Sequence, residues 1–125
     1  MIKQQLNSFK NALHGLKCAY KSEAHLRFHC FIALLVLIFG ALFRLSAGEW
    51  IACSLCIGSV ITAELINTAI EAAIDLATND LHPLAKKAKD VAAGAVLVCA
   101  IMSVLIGIII FLPKVLQCLT LMCQS

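Results

Sequence analysis

The chain has 125 residues, of which 62% are hydrophobic and only 14% are charged, and its formal net charge is +3. Soluble proteins carry about 25% charged residues, and a soluble domain of this length has too little interior to cover so much apolar surface. Composition therefore excludes a soluble globular protein and predicts a single integral membrane domain over residues 1–125. No nucleic-acid partner is expected, and the basic N-terminus lacks the apolar core and cleavage site of a secretory signal.

Residues 1–27 form the first predicted element. Apolar side chains recur there at helical spacing, with lysines between them, which predicts a basic amphipathic helix on an anionic membrane surface. We expect this helix to continue without a break into the first membrane span. The apolar positions are Leu6, Phe9, Leu13, Leu16 and Tyr20.

Three stretches with few or no charges predict transmembrane helices at residues 28–44, 49–78 and 84–112. The second helix is expected to extend past the bilayer into the cytoplasm. A short polar turn separates the first two spans, a break around residues 79–83 precedes the third, and Pro113 and Lys114 are predicted to end the third. The predicted fold class is an all-α membrane protein with one surface helix and three transmembrane helices.

The distribution of lysine and arginine predicts the orientation of these spans. Only Arg44 and Lys114 fall on one side of the predicted membrane. Because positive residues concentrate on the cytoplasmic side, the N-terminus and the loop near Asn79 are expected there. The residues of that side are Lys3, Lys10, Lys17, Lys21, Arg27, Lys86, Lys87 and Lys89.

Polar side chains interrupt the apolar sequence at the end of the second span. On a helix, Glu64, Asn67, Glu71 and Asp75 lie within an arc of about 80°. Glu64 lies about 22 Å along the helix from Glu49, which places it near the cytoplasmic boundary of the hydrocarbon. A carboxylate at that depth costs several kcal/mol and is seldom present without a function.

The polar stripe, together with the basic residues near it, suits phosphoryl transfer to a lipid hydroxyl. Carboxylate and amide oxygens suit Mg²⁺, nearby lysines and an arginine suit phosphate, and a carboxylate at the lipid boundary can take the proton of an alcohol. The sequence contains neither a Walker A motif nor a kinase glycine loop, which excludes the classical nucleotide-binding folds. A polar seam that only fixes helix register is the structural alternative.

The string Glu64-Leu65-Ile66-Asn67-Thr68-Ala69-Ile70-Glu71, followed by Asp75 and by Ala88-Lys89-Asp90, resembles the prokaryotic diacylglycerol kinase family. The segment Glu23-Ala24-His25-Leu26-Arg27-Phe28-His29 is similar to the sequence that precedes the family's first span. The resemblance extends from about Phe9 to Lys114. It implies a small lipid kinase of the bacterial cell (inner) membrane that is a homotrimer, with active sites on the cytoplasmic face between subunits.

The resemblance also implies roles for individual residues. Glu64 resembles the general base that activates the lipid hydroxyl, and Asn67 would position the reacting groups. Glu23 and Glu71 resemble the carboxylates that bind the Mg²⁺ bridging the ATP phosphates. The expected ATP-binding residues are Glu23, Glu71, Asp75, His82, Lys89 and Asp90, and the expected lipid-binding residues are Glu64, Lys17, Arg27 and Ala93.

The family has two substrate branches, and the sequence modestly favours undecaprenol over diacylglycerol as the acceptor. Ala93 stands where diacylglycerol-type members typically carry a serine. The alternatives are a diacylglycerol kinase that makes phosphatidate, a lipid phosphatase, and a non-enzymatic small transporter or assembly subunit. His25 and His29 are interpreted as interfacial residues. Cys53 and Cys56 are expected to act as small hydrophobic side chains rather than as a metal or redox site.

Overall fold

The structure, a computed structural model, describes residues 1–78 and 82–123. Within these ranges the chain forms four helices and no strand: α1 (Ile2–Ser22), α2 (Ala24–Leu42), α3 (Ala47–Ala77) and α4 (Pro83–Cys123). α2, α3 and α4 are each long and apolar enough to cross a membrane. The predicted all-α class with three candidate spans is confirmed. Residues 79–81 of the predicted break lie outside the described residues.

The first helix does not run unbroken into the first span, so the expectation of a continuous helix is wrong. Glu23 lies between α1 and α2 in an extended conformation, with φ −97° and ψ 115°. Its backbone N–H still donates to the carbonyl of Ala19 at 2.9 Å, which closes the last turn of α1. The extended residue lets the chain change direction between a surface helix and a spanning helix.

The start of α3 is defined by a capping box. The Ser46 hydroxyl accepts from the backbone N–H of Glu49 at 3.4 Å, and the Glu49 carboxylate accepts from the backbone N–H of Ser46 at 2.7 Å. This reciprocal pair satisfies two backbone donors that a helix start leaves free. Arg44, with φ 51°, adopts the left-handed conformation that turns the chain sharply between α2 and α3. The predicted start of the second span is therefore displaced by only two residues.

The third span does not end at Pro113. α4 continues through this proline to Cys123, so the predicted helix end at residue 112 is wrong. Proline removes one backbone hydrogen bond, but membrane helices tolerate this where nearby groups re-satisfy the backbone. Lys114, the next residue, places its Nζ 3.0 Å from Glu49 Oε1 and so ties α4 to the capped start of α3.

The helices pack around α3, which contacts each of the other three. The compact part of the core comprises Leu45, Cys53 and Ile110, and it lies close to the end of α3 that carries Glu49. Trp50 and Phe111 pack against this cluster. Most other large apolar side chains of α2–α4 are exposed on the single chain, as expected where lipid or further copies of the chain cover the helices.

Gly40 permits the close approach of α2 to the start of α3. A Cβ at this position would lie 2.8 Å from Cη2 of Trp50 and 3.0 Å from Cδ1 of Leu45. Leu45 is buried in the core cluster and Trp50 packs against that cluster, which restricts the movement of both side chains. Glycine is therefore required at position 40 by packing rather than by its backbone angles.

We expect Gly40→Ala to destabilise the protein by about 1–3 kcal/mol, because the added methyl group overpacks this contact. Gly15→Ala is the matched control, since a Cβ there meets nothing within 4 Å and alanine favours the helix by about 0.5–1 kcal/mol. Reversible unfolding in mixed detergent micelles measures both variants. Equal stability of Gly40→Ala and the wild type would contradict the close packing of α2 against Trp50 and Leu45.

Candidate active site

Glu64 is the buried charged residue of the described chain, with only 6% of its surface exposed. It lies in α3, and the ring of His29 in α2 faces it with Nε2 3.2 Å from Oε1 of the carboxylate. Sequence reasoning missed this partner and interpreted His29 as interfacial. A single histidine in an apolar run gives no sign of its contact, because the pairing joins residues of two different helices.

One turn further along α3, Asn67 and Glu71 form the next part of the polar face. The amide Nδ2 of Asn67 donates to Oε1 of Glu71 at 3.0 Å. The other amide atom, Oδ1, is buried and has no hydrogen-bond partner. Asn67 and Glu71 thus share one face of α3, as helical spacing predicted, and together they present one free carboxylate oxygen, Oε2 of Glu71, and one unpaired carbonyl oxygen, Oδ1 of Asn67.

These two oxygens fit a divalent cation such as Mg²⁺. Mg²⁺ uses one or two protein oxygens and completes its shell with phosphate and water, and the unpaired Asn67 Oδ1 is an acceptor that a cation would satisfy. Within residues 1–78 and 82–123, no three His, Cys, Asp or Glu side chains group as a complete metal site. The described part of one chain therefore does not gather Glu23 and Glu71 into such a cluster. The Glu23 side chain is partly exposed in the link between α1 and α2.

Two ion pairs lie beyond the polar face, one between α3 and α4 and one within α4. Lys89 Nζ lies 2.5 Å from Oδ1 of Asp75, and Lys86 Nζ lies 2.5 Å from Oδ2 of Asp90. The predicted nucleotide pair Lys89–Asp90 thus engages separate partners in this structure. His82 precedes α4, and its Nδ1 accepts from the backbone N–H of Leu84 at 3.2 Å, so its ring caps the helix start.

Three predicted lipid-binding residues lie on the exposed surface. Arg27 donates from Nη1 to the backbone carbonyls of Tyr20 at 3.2 Å and Lys21 at 2.9 Å. These carbonyls end α1, so the guanidinium satisfies acceptors that a helix end leaves free. Lys17 and Ala93 are exposed on α1 and α4. Lipid contact by these three residues remains a prediction.

An apolar cavity of about 390 Å³ lies between α2, α3 and α4. His29 lines it near Glu64, and Phe111 lines it near the Glu49 end of α3. Val60, Ile61 and Val104 supply further walls, and the lining is almost wholly hydrocarbon. His29 contacts the buried Glu64 carboxylate and also lines the cavity, so the carboxylate lies near a space suited to an apolar chain.

The model of the family described as prokaryotic diacylglycerol kinase matches residues 10–111. The chain belongs to the prokaryotic diacylglycerol kinase family. The chain is 50% identical over 107 residues to the undecaprenol kinase of Bacillus subtilis, covering 86% of this chain and 87% of that protein. Membership makes it a lipid kinase, a phosphotransferase of bacterial membranes, and removes the non-enzymatic and phosphatase alternatives.

Diacylglycerol kinases of the family are also similar. The Synechocystis diacylglycerol kinase is 38% identical over 113 residues, which cover 90% of this chain and 65% of that protein. The Escherichia coli K12 diacylglycerol kinase is 30% identical over 91 residues, 73% of this chain and 75% of that protein. Both named acceptor types of the family are therefore represented among the relatives of this kinase.

The contacts of Arg27 predict a structural role at the α1–α2 junction. Arg27→Leu should release the carbonyls of Tyr20 and Lys21, at a cost of about 1 kcal/mol. This corresponds to roughly fivefold faster amide hydrogen exchange in residues 20–23. Lys21→Gln is the control, because it removes a neighbouring charge and leaves the backbone carbonyl in place. Unchanged exchange in Arg27→Leu would leave lipid binding as the role to test for Arg27.

Proposed function

We propose that this kinase transfers the γ-phosphate of ATP to the hydroxyl of a membrane lipid alcohol, with undecaprenol favoured over diacylglycerol. The observation that carries the proposal is the buried Glu64 carboxylate beside the end of an apolar cavity. A lipid alcohol has the matching form, a single hydroxyl at the end of a long hydrocarbon. The family membership supplies the reaction class.

In this proposal Glu64 is the general base. Its carboxylate takes the proton of the lipid hydroxyl while the lipid oxygen bonds to the γ-phosphorus. The bond between that phosphorus and the oxygen bridging to the β-phosphate breaks, and ADP leaves with the electron pair. Glu64 later releases the proton to water. Asn67, one helical turn away, would hold the reacting groups in position.

Mg²⁺ would neutralise charge on the ATP phosphates, held by the free oxygen of Glu71 and by Oδ1 of Asn67. The unpaired, buried Oδ1 supports this placement. Glu23 makes no side-chain cap on α2 and is only partly buried, so its carboxylate can serve the site of a neighbouring chain in the proposed homotrimer.

We place nucleotide binding at the junction of α3 and α4. Lys89 pairs with Asp75 and Lys86 pairs with Asp90, and ATP phosphates would compete for both ammonium groups. Asp75, Asp90 and His82 would then contact the rest of the nucleotide. Because positive charge predicts this junction on the cytoplasmic side, the proposed active site faces the cytoplasm, where ATP is found.

The choice of acceptor rests on two observations. The Bacillus subtilis relative is named an undecaprenol kinase and is 50% identical, whereas the two diacylglycerol kinases compared above are 38% and 30% identical. The second observation is Ala93, which stands where diacylglycerol-type members of the family typically carry a serine. Diacylglycerol is the second candidate, because most of the named relatives are diacylglycerol kinases.

The experiment that tests the acceptor is phosphorylation with labelled ATP and purified protein in detergent micelles. Undecaprenol and diacylglycerol are offered separately and then in competition. We expect label on undecaprenol at lower acceptor concentration. Label mainly on diacylglycerol would reverse the acceptor assignment, and label on neither lipid would contradict the proposed reaction.

Glu64→Gln should reduce kcat by about 100-fold or more, because the amide cannot take the proton. The side chain keeps nearly the same size, so ATP binding and oligomer size are expected to remain unchanged. Glu49→Gln is the control, a carboxylate at the opposite end of α3 that contacts Lys114 rather than the site. Turnover near the wild-type level in Glu64→Gln would remove Glu64 as the base.

Glu71→Gln should raise the Mg²⁺ concentration required for half-maximal turnover by about 10- to 100-fold, a range typical for weakened metal contacts. The amide keeps one oxygen but loses the negative charge that attracts the cation. Titration of Mg²⁺ at saturating ATP and lipid measures the change, with Glu49→Gln again as the control. A superimposable titration curve would exclude Glu71 as a metal ligand.

A further inference from the structure

The surroundings of Glu64 present a physical problem. A carboxylate removed from water is strongly unfavourable unless a donor or an opposite charge accompanies it. Glu64 is 6% exposed, and its recorded ion-pair partner is His29. The neighbouring carboxylates have partners of their own: Glu71 accepts from the amide of Asn67, and Asp75 pairs with Lys89.

The contact between His29 and Glu64 joins one ring nitrogen to one carboxylate oxygen. Nε2 of His29 lies 3.2 Å from Oε1, within ion-pair distance. With Nε2 carrying the proton, the ring faces one oxygen of the carboxylate and leaves Oε2 for another group. This arrangement suits a general base, because a carboxylate held at one oxygen can keep the other within reach of the proton to be removed.

His29 also joins the carboxylate to the cavity. Its side chain is 20% exposed, and its ring forms part of the cavity wall that is otherwise lined by hydrocarbon. A hydroxyl group carried at the end of a chain in this cavity would therefore arrive beside His29 and Glu64. The histidine is placed to orient the base without contacting the nucleotide junction at Lys89 and Asp75.

We propose that His29 is a positioning residue that holds Oε1 of Glu64 and directs Oε2 toward the acceptor hydroxyl. This inference rests on the proposed role of Glu64 as the base and extends it to a second helix. The competing explanation is that His29 only fills space between α2 and α3. The two explanations differ in kinetics, because a space-filling residue affects stability and a positioning residue affects kcat.

The first experiment compares His29→Leu with His29→Gln. Leucine fills the space but has no donor, whereas the amide nitrogen of glutamine can take the place of Nε2. We expect His29→Leu to lose about 10- to 100-fold in kcat with the KM for ATP unchanged, and His29→Gln to recover most of that loss. His25→Leu, a histidine exposed one turn earlier on α2, is the matched control and should retain wild-type turnover.

A double-mutant cycle shows whether His29 acts through Glu64. Glu64→Asp keeps a carboxylate but withdraws it from His29 by one methylene group. If the two residues act together, His29→Leu will cause little further loss of kcat in the Glu64→Asp background. The proposal would be overturned if the kcat losses of the two single variants multiply fully in the double variant. It would also be overturned by wild-type kcat in His29→Leu, or by a kcat loss in a folded His29→Gln equal to that in His29→Leu.

A spectroscopic measurement tests the pairing independently of turnover. In protein labelled with ¹⁵N-histidine, Glu64→Gln should shift the ring nitrogen signals of His29 and leave those of His25 unchanged. The His29 signals are assigned by their loss in His29→Gln. An unshifted His29 would overturn the pairing even if the protein phosphorylates lipid. Conversely, a shifted His29 in a protein that phosphorylates neither lipid would support the pairing while contradicting the proposed function.

Discussion

The burial of the Glu64 carboxylate imposes a physical requirement on how α2 and α3 pack. Charge removed from water must be compensated within the protein, and here an imidazole from a neighbouring helix lies 3.2 Å away. That contact requires α2 and α3 to be in a defined register at this depth. The extended residue Glu23, the sharp turn at Arg44 and the small residue Gly40 together allow α2 to reach that register.

The helix α3 is joined to α4 near both of its ends. Its capped start carries Glu49, which pairs with Lys114, and its last turns carry Asp75, which pairs with Lys89. Both lysines belong to α4, so α3 and α4 are joined by ion pairs near both ends. Between these two ion pairs, α3 first carries the apolar side chains that line the cavity. The polar face formed by Asn67 and Glu71 follows. One helix therefore carries the apolar surface and then the polar side chains of the candidate site, one after the other along its length.

Much of this organisation follows from local sequence. Helical spacing predicted the polar stripe because residues three and four apart share a face, and the start of α3 was predicted within two residues. The break at Glu23 was missed because no glycine or proline marks it, and the extension past Pro113 was missed because proline ordinarily ends a helix. The pairing of His29 with Glu64 depends on how two helices pack, which a single sequence does not encode in any local pattern.

The two ion pairs between α3 and α4 have a consequence for the surrounding lipid. Asp75 lies about 39 Å along the helix from Glu49, which exceeds the hydrocarbon thickness of about 30 Å, so its ion pair with Lys89 falls on the part of α3 that is expected in the cytoplasm. Because ion pairs join α3 to α4 near both ends of α3, we expect a change of bilayer thickness to tilt the two helices together rather than slide one past the other. Tilt changes the depth of Glu64 relative to the lipid headgroups. In the proposed function, bilayer thickness, and thus acyl-chain composition, would then affect how well a lipid hydroxyl meets the Glu64 carboxylate.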